Sequence, residues 1–163
     1  MKKYSGQDKR FLAIWAGDCA EHVLPFFERA FPNDDRPRKA IEICRTWIRT
    51  GVFKMSEIRG ASLAAHASAR KAKGKNDVAC FSARAAGQAV ATVHVPQHAF
   101  GAAYYALRAV AASEPAEPAV SIEEERNWMA RHLRENLRQE LRRITIQKRG
   151  AKFLIKIHKD KDF

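Results

Sequence analysis

Long hydrophobic runs are absent from this sequence: no stretch approaches the roughly 20 apolar residues that a membrane-spanning helix needs. The first ten residues, MKKYSGQDKR, lack the apolar segment of a secretory signal peptide. Cysteine is scarce, and the three present, Cys19, Cys44 and Cys80, are odd in number and widely spaced. This spacing argues against a disulfide framework and against a zinc ribbon. We therefore predict a reduced, cytoplasmic protein without a membrane partner.

Motifs for nucleotide chemistry are also missing. The sequence has no glycine-rich phosphate loop, no dinucleotide fingerprint and no serine elbow. It has no helix-turn-helix, zinc-finger or ribonucleoprotein signature either. Our leading hypothesis therefore includes no catalytic residue, no cofactor and no metal ion.

Acidic residues are too few to balance the basic ones. Thirty Lys and Arg face 18 Asp and Glu, which gives a net charge of +12 over 163 residues. Residues 76–120 carry only five of these charges, whereas residues 1–75 and 121–163 carry net charges of +8 and +5. A stretch so poor in charge is typical of a protein interior. We predict that it forms the centre of a single globule.

Glycine, proline and the spacing of apolar residues divide the chain into helix-sized pieces. Alanine and glycine recur in the third to fifth pieces, and small side chains let helices approach one another closely. Asn76 or Asp77 suits the start of the fourth helix, and Gly51 suits the end of the second. The predicted helices cover roughly residues 8–31 (interrupted at Pro25), 35–50, 55–73, 77–94 and 97–113.

A sixth amphipathic helix is predicted from a capping-box pattern at residues 121–124 up to residue 144. One apolar stripe runs along it, formed by Ile122, Met129, Leu133, Leu137, Leu141 and Ile144. Beyond it, apolar residues alternate on both sides of Gly150, which indicates a hairpin or a frayed basic tail. The predicted fold is therefore all-α, a compact bundle of about six helices with a possible small C-terminal β-hairpin. We divide it into a helical domain, residues 1–144, and a basic tail or hairpin, residues 145–163.

Four of the six histidines lie in the helical body: His22, His66, His94 and His98. His94 and His98 have the i, i+4 spacing of metal ligands on a helix. Pro96 interrupts that geometry, so the pair is expected at a joint between two helices. A structural or capping role is favoured there over a polar ligand pocket or a metal site.

Asp18 and His22 are also four residues apart, a spacing that lets a carboxylate orient an imidazole. His22 shares a helical stripe with Trp15 and Phe26, which favours an inward-facing histidine whose polar atoms are satisfied. Cys19 lies on the same helix, but nothing in the sequence lowers the pKa of its thiol.

The turn at residues 34–38 contains Asp34, Asp35 and Arg36 at a helix start. The aspartates are expected to cap the helix. The same turn could also clamp a charged partner.

Residues 142–161 carry eight cationic side chains and one carboxylate, Asp160. Such a segment attracts phosphate backbones or an acidic protein. Phe153 is its only aromatic residue, so stacking on bases has little support, and a solvated charged face is the simplest interpretation. The candidate basic surface consists of Arg142, Arg143, Lys148, Arg149, Lys152 and Lys156.

Several segments together resemble one known family, the immunity-five-like proteins of bacteria and archaea, which are described as antidotes in polymorphic toxin systems. The segments are residues 15–21, 23–28, 34–42, 64–70, 85–95, 98–103 and 125–128. The resemblance covers about residues 12–137 and implies a protein toxin as partner. It marks seven positions as candidate binding residues, namely Asp18, His22, Asp35, Arg36, His66, His94 and His98.

Three functions follow as hypotheses. The leading one is an immunity protein that neutralises a toxin domain by occlusion, without turnover; its charge of +12 suits an acidic toxin surface or a local patch. The alternative is nucleic-acid binding through the basic surface. A third is a small-ligand or metal-binding protein that uses the joint of His94 and His98.

Overall fold

Seven α-helices and one β-hairpin make up residues 4–159, the part of the chain that the computed structural model describes. An all-α bundle with a small C-terminal hairpin is thereby confirmed. The helices are α1 (Gly6–Ala30), α2 (Arg36–Thr50), α3 (Met55–Ala72), α4 (Asp77–Ala91), α5 (His98–Ser113), α6 (Pro118–His132) and α7 (Glu135–Arg138). A 3₁₀ turn (Gln139–Arg143) leads into strands β1 (Ile144–Arg149) and β2 (Lys152–Ile157).

The centre of the bundle is α4, which contacts α1, α2, α3 and α5. Its buried residues and those of α5 are mostly alanine and glycine, so the helices pack closely. Larger side chains fill the remaining space, and the largest fully buried ones are Trp15, Phe27 and Phe100. The prediction that residues 76–120 form the buried centre is confirmed for α4 and α5 and is wrong for residues 114–120, which are mostly exposed. None of the helices in the described part of the chain is long and apolar enough to span a bilayer.

Helix α1 runs without interruption through Pro25, so the predicted break there is wrong. Pro25 lies on the exposed face, while Leu24 and Phe27 beside it are buried and hold the helix against the core. The helix begins with an unpredicted capping box, in which Ser5 and Asp8 bond each other's backbone N–H groups. Asn136 of α7 donates a further hydrogen bond to the Asp8 carboxylate, at 3.2 Å.

The predicted sixth helix is divided in the structure. Its first part, α6, begins at Pro118, because proline suits the first turn of a helix. The capping box expected at residues 121–124 is not formed, and Ser121 lies inside the helix. It ends at His132, where Leu133 adopts an extended conformation. The predicted stripe is nevertheless buried along its whole length, from Ile122 to Ile144. The chain bends at Leu133 so that the later part of the stripe still faces the core, and Arg138 Nε donates to the Leu133 carbonyl at 3.1 Å.

The hairpin turns at Gly150, whose φ of 61° is followed by a negative φ at Ala151, as in a type II′ turn. Its register aligns Ile144 with Ile157 and Arg149 with Lys152. One face carries isoleucines and Phe153 and packs on the core, where β2 contacts α5. The other face is polar and carries Thr145, Gln147, Arg149, Lys152, Leu154 and Lys156.

Candidate functional site

The seven candidate residues lie at four separate places rather than in one active site. Three histidines come together where α3, α4 and α5 meet: one on α3, one in the turn after α4 and one at the start of α5. The others are distributed over the surface of α1 and α2: Asp18 against α2, His22 against α6, and Asp35 with Arg36 at the start of α2.

The first place is the joint between α4 and α5, and His94 and His98 lie there as predicted. Their ring centroids are 5.8 Å apart. The ring of His98 donates from Nδ1 to Gln88 Oε1 at 2.7 Å. Glycine makes room for this bond, because a Cβ at Gly101 would lie 2.6 Å from Gln88 Oε1.

His66 joins the same cluster from α3. Its ring lies against Gly87 of α4, where a Cβ would come within 2.9 Å of the imidazole Nε2. We call His66, Gln88, His94 and His98 the histidine joint. Two glycines therefore hold space for two polar side chains between closely packed helices.

Burial keeps the histidine joint uncharged at neutral pH. The pKa of His98 is lowered to about 4, first by burial and then by the neighbouring His94, Lys159 and His66. The pKa values of His66 and His94 are also lowered, chiefly by burial. The neutral ring of His98 therefore donates from Nδ1 and keeps Nε2 as an acceptor. Within residues 4–159 no three His, Cys, Asp or Glu side chains are grouped so as to hold a metal ion.

The second place is a pair of side chains, one histidine and one carboxylate, in contact between α1 and α6. His22 Nδ1 lies 3.0 Å from both carboxylate oxygens of Glu125. The predicted partner Asp18 and the predicted inward orientation are both wrong, because the His22 side chain is 48% exposed while that of Glu125 is 5% exposed. Burial raises the pKa of Glu125, and His22 opposes that shift.

Trp128 lies between two histidines beside this pair of side chains. Its ring centroid is 4.7 Å from that of His22 and 4.3 Å from that of His132, which stacks on it. An open groove of about 600 Å³ runs past these side chains between α1, α5 and α6. Its apolar lining is Phe26, Val110 and Trp128, and its charged lining is Glu114, Glu124, Glu125 and Arg131. We call it the aromatic groove; it is locally acidic in a protein of charge +12.

The third place joins α1 to α2 through Arg45. Its Nη2 donates to Asp18 and to Glu21, each at 2.6 Å. The guanidinium lies directly over Gly17, where a Cβ would be 3.1 Å from it. Asp18 therefore serves packing between two helices and does not orient an imidazole.

The fourth place is the turn before α2. Asp34 accepts from Arg36 Nε at 2.7 Å and from Ser68 Oγ at 2.9 Å. These bonds, with that to Arg36 first, lower the pKa of Asp34 to about 2. The expected cap by Asp35 is not formed, because its exposed carboxylate pairs with Lys39 at 2.8 Å. Asp34 instead accepts a hydrogen bond from the backbone N–H of Arg36.

The basic surface divides between exposed and buried cations. Arg149, Lys152 and Lys156 lie on the polar face of the hairpin and are exposed, as are Arg142 and Lys148. Arg143 does not belong to this surface, because its side chain is 10% exposed and pairs with Glu140 at 2.8 Å. Arg149 faces Lys152 directly across the hairpin.

The cysteine thiols lie in the core, as expected from the lack of an activating group. Burial raises the pKa of Cys44 to about 12, and its Sγ lies 3.5 Å from the Ala89 carbonyl. Burial, with Glu125 second, raises the pKa of Cys19 well above its usual value. Neither thiol is set up as a nucleophile at neutral pH.

Sequence reasoning missed the partners that hold these places together: Arg45, Gln88 and Glu125. Glu125 and Trp128 lie three residues apart on one helix face, which was the available signal for the aromatic groove. Nothing in the sequence pointed to Arg45 or Gln88.

The fold and these surfaces define a small helical protein whose polar residues are paired among themselves at the helix contacts. The family model described as Imm-5 like putative immunity protein matches residues 2–136. The chain therefore belongs to the Imm-5 like putative immunity protein family. No curated protein and no solved structure matches the chain significantly.

Proposed function

We propose that the protein is a non-catalytic immunity protein that binds a toxin domain in the cytoplasm and neutralises it by occlusion. The observation that carries this proposal is the family match, which spans residues 2–136. The buried, unpaired thiols fit a reducing compartment.

The state of the polar side chains also supports binding rather than turnover. Arg45, Arg36 and His22 are each tied to a carboxylate within the protein. Side chains already held in one geometry lose little conformational entropy when a partner docks. The surface is thus rigid before the toxin arrives.

The aromatic groove is the contact surface that we propose for the toxin. Half-exposed aromatic rings are the residues that most often carry binding energy at interfaces, and Trp128 is stacked and fixed by His22 and His132. The carboxylates of Glu114 and Glu124 at the groove suit a basic side chain of the toxin.

The test is to search the genes that neighbour this one for a toxin domain and to co-express that domain with this protein. We expect the wild-type protein to restore growth of the expressing cells and to co-purify with the toxin in a stable complex. Glu124→Lys should weaken the complex by about tenfold, because it reverses a charge at the groove. Glu123→Lys is the matched control, since Glu123 precedes it on α6 and does not line the groove. No rescue and no complex with the wild-type protein would refute the proposal.

A second candidate function is nucleic-acid binding by the polar face of the hairpin. It is favoured by Arg149, Lys152 and Lys156, which share that face, and none of them pairs with a carboxylate among residues 4–159. Retardation of a duplex or a single strand at about 50 mM salt, lost steeply as salt rises, is the expected result. Failure to retard either at that salt concentration removes this candidate.

A further inference from the structure

We propose that the free edge of β2 is a docking site for an extended acidic segment of the toxin, which adds to the hairpin as a third strand. This inference rests on the proposed function and names a second contact with the same partner. The hairpin lies beyond residue 136, where the family match ends, so this edge would give the chain a contact of its own.

The edge of β2 has no strand beside it. The hairpin is a two-stranded sheet, and within residues 4–159 β2 pairs only with β1. His158 N–H donates to the Arg143 carbonyl at 2.7 Å, which fixes that pair as hydrogen-bonded. In an antiparallel ladder such pairs recur at every second residue. The backbone N–H and C=O groups of Phe153 and Ile155 are therefore directed away from β1.

A groove of about 510 Å³ runs along this edge. Five consecutive residues, 151–155, line it, although successive side chains of a strand point to opposite faces. A groove that follows the turn and the strand edge can meet all of them. We call it the edge groove.

The far wall of the edge groove is apolar. It is formed by the end of α5 and the segment that follows, together with one ring of α4: Phe81, Ala111, Ala112, Pro115 and Pro118. An added strand would therefore find backbone partners on one side and an apolar surface on the other. A nucleic acid would not gain the same contacts. The Arg108 guanidinium covers the Phe81 ring at 4.1 Å, so a base cannot stack on that face of the ring.

The charges around the edge groove select an acidic occupant. Arg108 and Lys152 line it, and Arg149 faces Lys152 across the hairpin. Among the residues that the structure describes, 4–159, no carboxylate lines it. The like charges of Arg149 and Lys152 repel each other, and a carboxylate from the partner would relieve that repulsion.

The first experiment uses a defined probe, a blocked seven-residue peptide of alternating glutamate and valine. We expect it to bind and to slow amide hydrogen exchange at Phe153 and Ile155. A peptide with lysine in place of glutamate should bind at least about tenfold more weakly. Absence of binding by the glutamate peptide, or binding without protection of these two amides, would overturn the inference.

Two variant pairs test the edge itself. Phe153→Pro removes one outward N–H, whereas Phe153→Ala removes the same ring and keeps the N–H. Proline should weaken peptide binding by about tenfold relative to alanine. Lys152→Glu should weaken it by about fivefold, and Lys148→Glu, on β1 outside the groove, should leave it within about twofold. Equal affinity within either pair would overturn the inference.

The toxin experiment separates this inference from the proposed function. Neutralisation of the toxin with unchanged exchange at Phe153 and Ile155 would refute strand addition and leave the immunity function standing. A toxin that is neither bound nor neutralised would refute the immunity function itself. A single-stranded DNA that protects the polar face of the hairpin, in place of the peptide at its edge, would overturn the inference in favour of nucleic-acid binding.

Discussion

The centre of the bundle and the hairpin differ in composition and in exposure to solvent, although α5 and β2 are in contact. Helices α4 and α5 are poor in charge and rich in alanine, and the volume of each side chain decides what fits between them. The hairpin carries exposed cations on one face, and within residues 4–159 no strand pairs with the outer edge of β2. The comparison teaches that the centre is specified by how its small side chains fit together, whereas the charged hairpin leaves its polar face exposed to solvent.

The largest expected difference in stability comes from removing a phenylalanine ring from each of the two regions. Phe100 is fully buried in α5, and Phe100→Ala should lower the free energy of unfolding by about 3–5 kcal/mol. Phe153 is partly exposed on the hairpin, and Phe153→Ala should cost about 1 kcal/mol. Urea unfolding at pH 7 measures both values. Equal losses would show that the hairpin is as tightly packed as the centre.

A single methyl group sharpens the contrast further. In Gly101→Ala the new Cβ would displace the Gln88 side chain from His98, so the variant should lose about 1 kcal/mol of stability. Gly60→Ala is the matched control, because a Cβ there meets nothing within 4 Å on a helix of similar length. It should gain about 0.5–1 kcal/mol from helix propensity. A gain in stability in both variants would contradict this prediction, because it would show that the histidine joint accommodates a Cβ at Gly101.

Acid should weaken the centre before it affects the hairpin. The folded pKa of His98 is about 4, below its ordinary value of 6.5, so the unfolded chain takes up its proton first. Stability contributed by the neutral ring is complete above pH 6.5 and is lost as the pH falls towards 4. The pKa values of His66 and His94, the other two histidines of the joint, are lowered as well. Gln88 on α4 and Lys159 complete the surroundings of the His98 ring.

Between pH 7 and pH 5 we expect His98 to account for about 1 kcal/mol of lost stability, after allowance for its partial exposure. Urea unfolding at the two pH values measures this loss. His98→Gln should show a clearly smaller loss over the same range. An identical loss in the variant would mean that His98 does not titrate in this window.

The smallest expected effect lies on the hairpin. Arg149→Glu converts a repulsive pair with Lys152 into an attractive one and should add about 0.2–0.5 kcal/mol of stability at low salt. The gain should disappear at about 1 M salt, where charges are screened. Lys148→Glu faces Phe153 and should change stability by less than about 0.3 kcal/mol, which makes it the control.

Local signals in the sequence predicted much of the fold. Gly51 ends α2 with a φ of 69°, and Asn76 caps α4 through a bond to the Ala79 N–H at 2.9 Å. Both signals depend only on neighbours in the chain. The break at Leu133 was not predictable in this way. The apolar residues keep the same spacing in the sequence whether the chain forms one straight helix or is broken so that both parts stay on the core.

The candidate places were predicted less well, since their partners are distant in sequence. His22 pairs with Glu125, and the two are 103 residues apart. Asp18 was assigned to the histidine one turn away, yet Arg45 of the neighbouring helix holds it. Only the meeting of His94 and His98 followed from local evidence, because Pro96 had to end one helix and allow another to begin.

The hydrogen bond between Asp8 and Asn136 has a consequence for the architecture of the family. It brings the first helix of the matched region into contact with its last residue, and Arg134 lies over the Phe11 ring at the same corner. The core does not end at this corner, because Leu137, Leu141 and Ile144 just beyond it are buried in the same cluster. A chain cut after residue 136 would therefore keep the corner and lose part of the core that supports it, so the matched region depends on the segment that follows it.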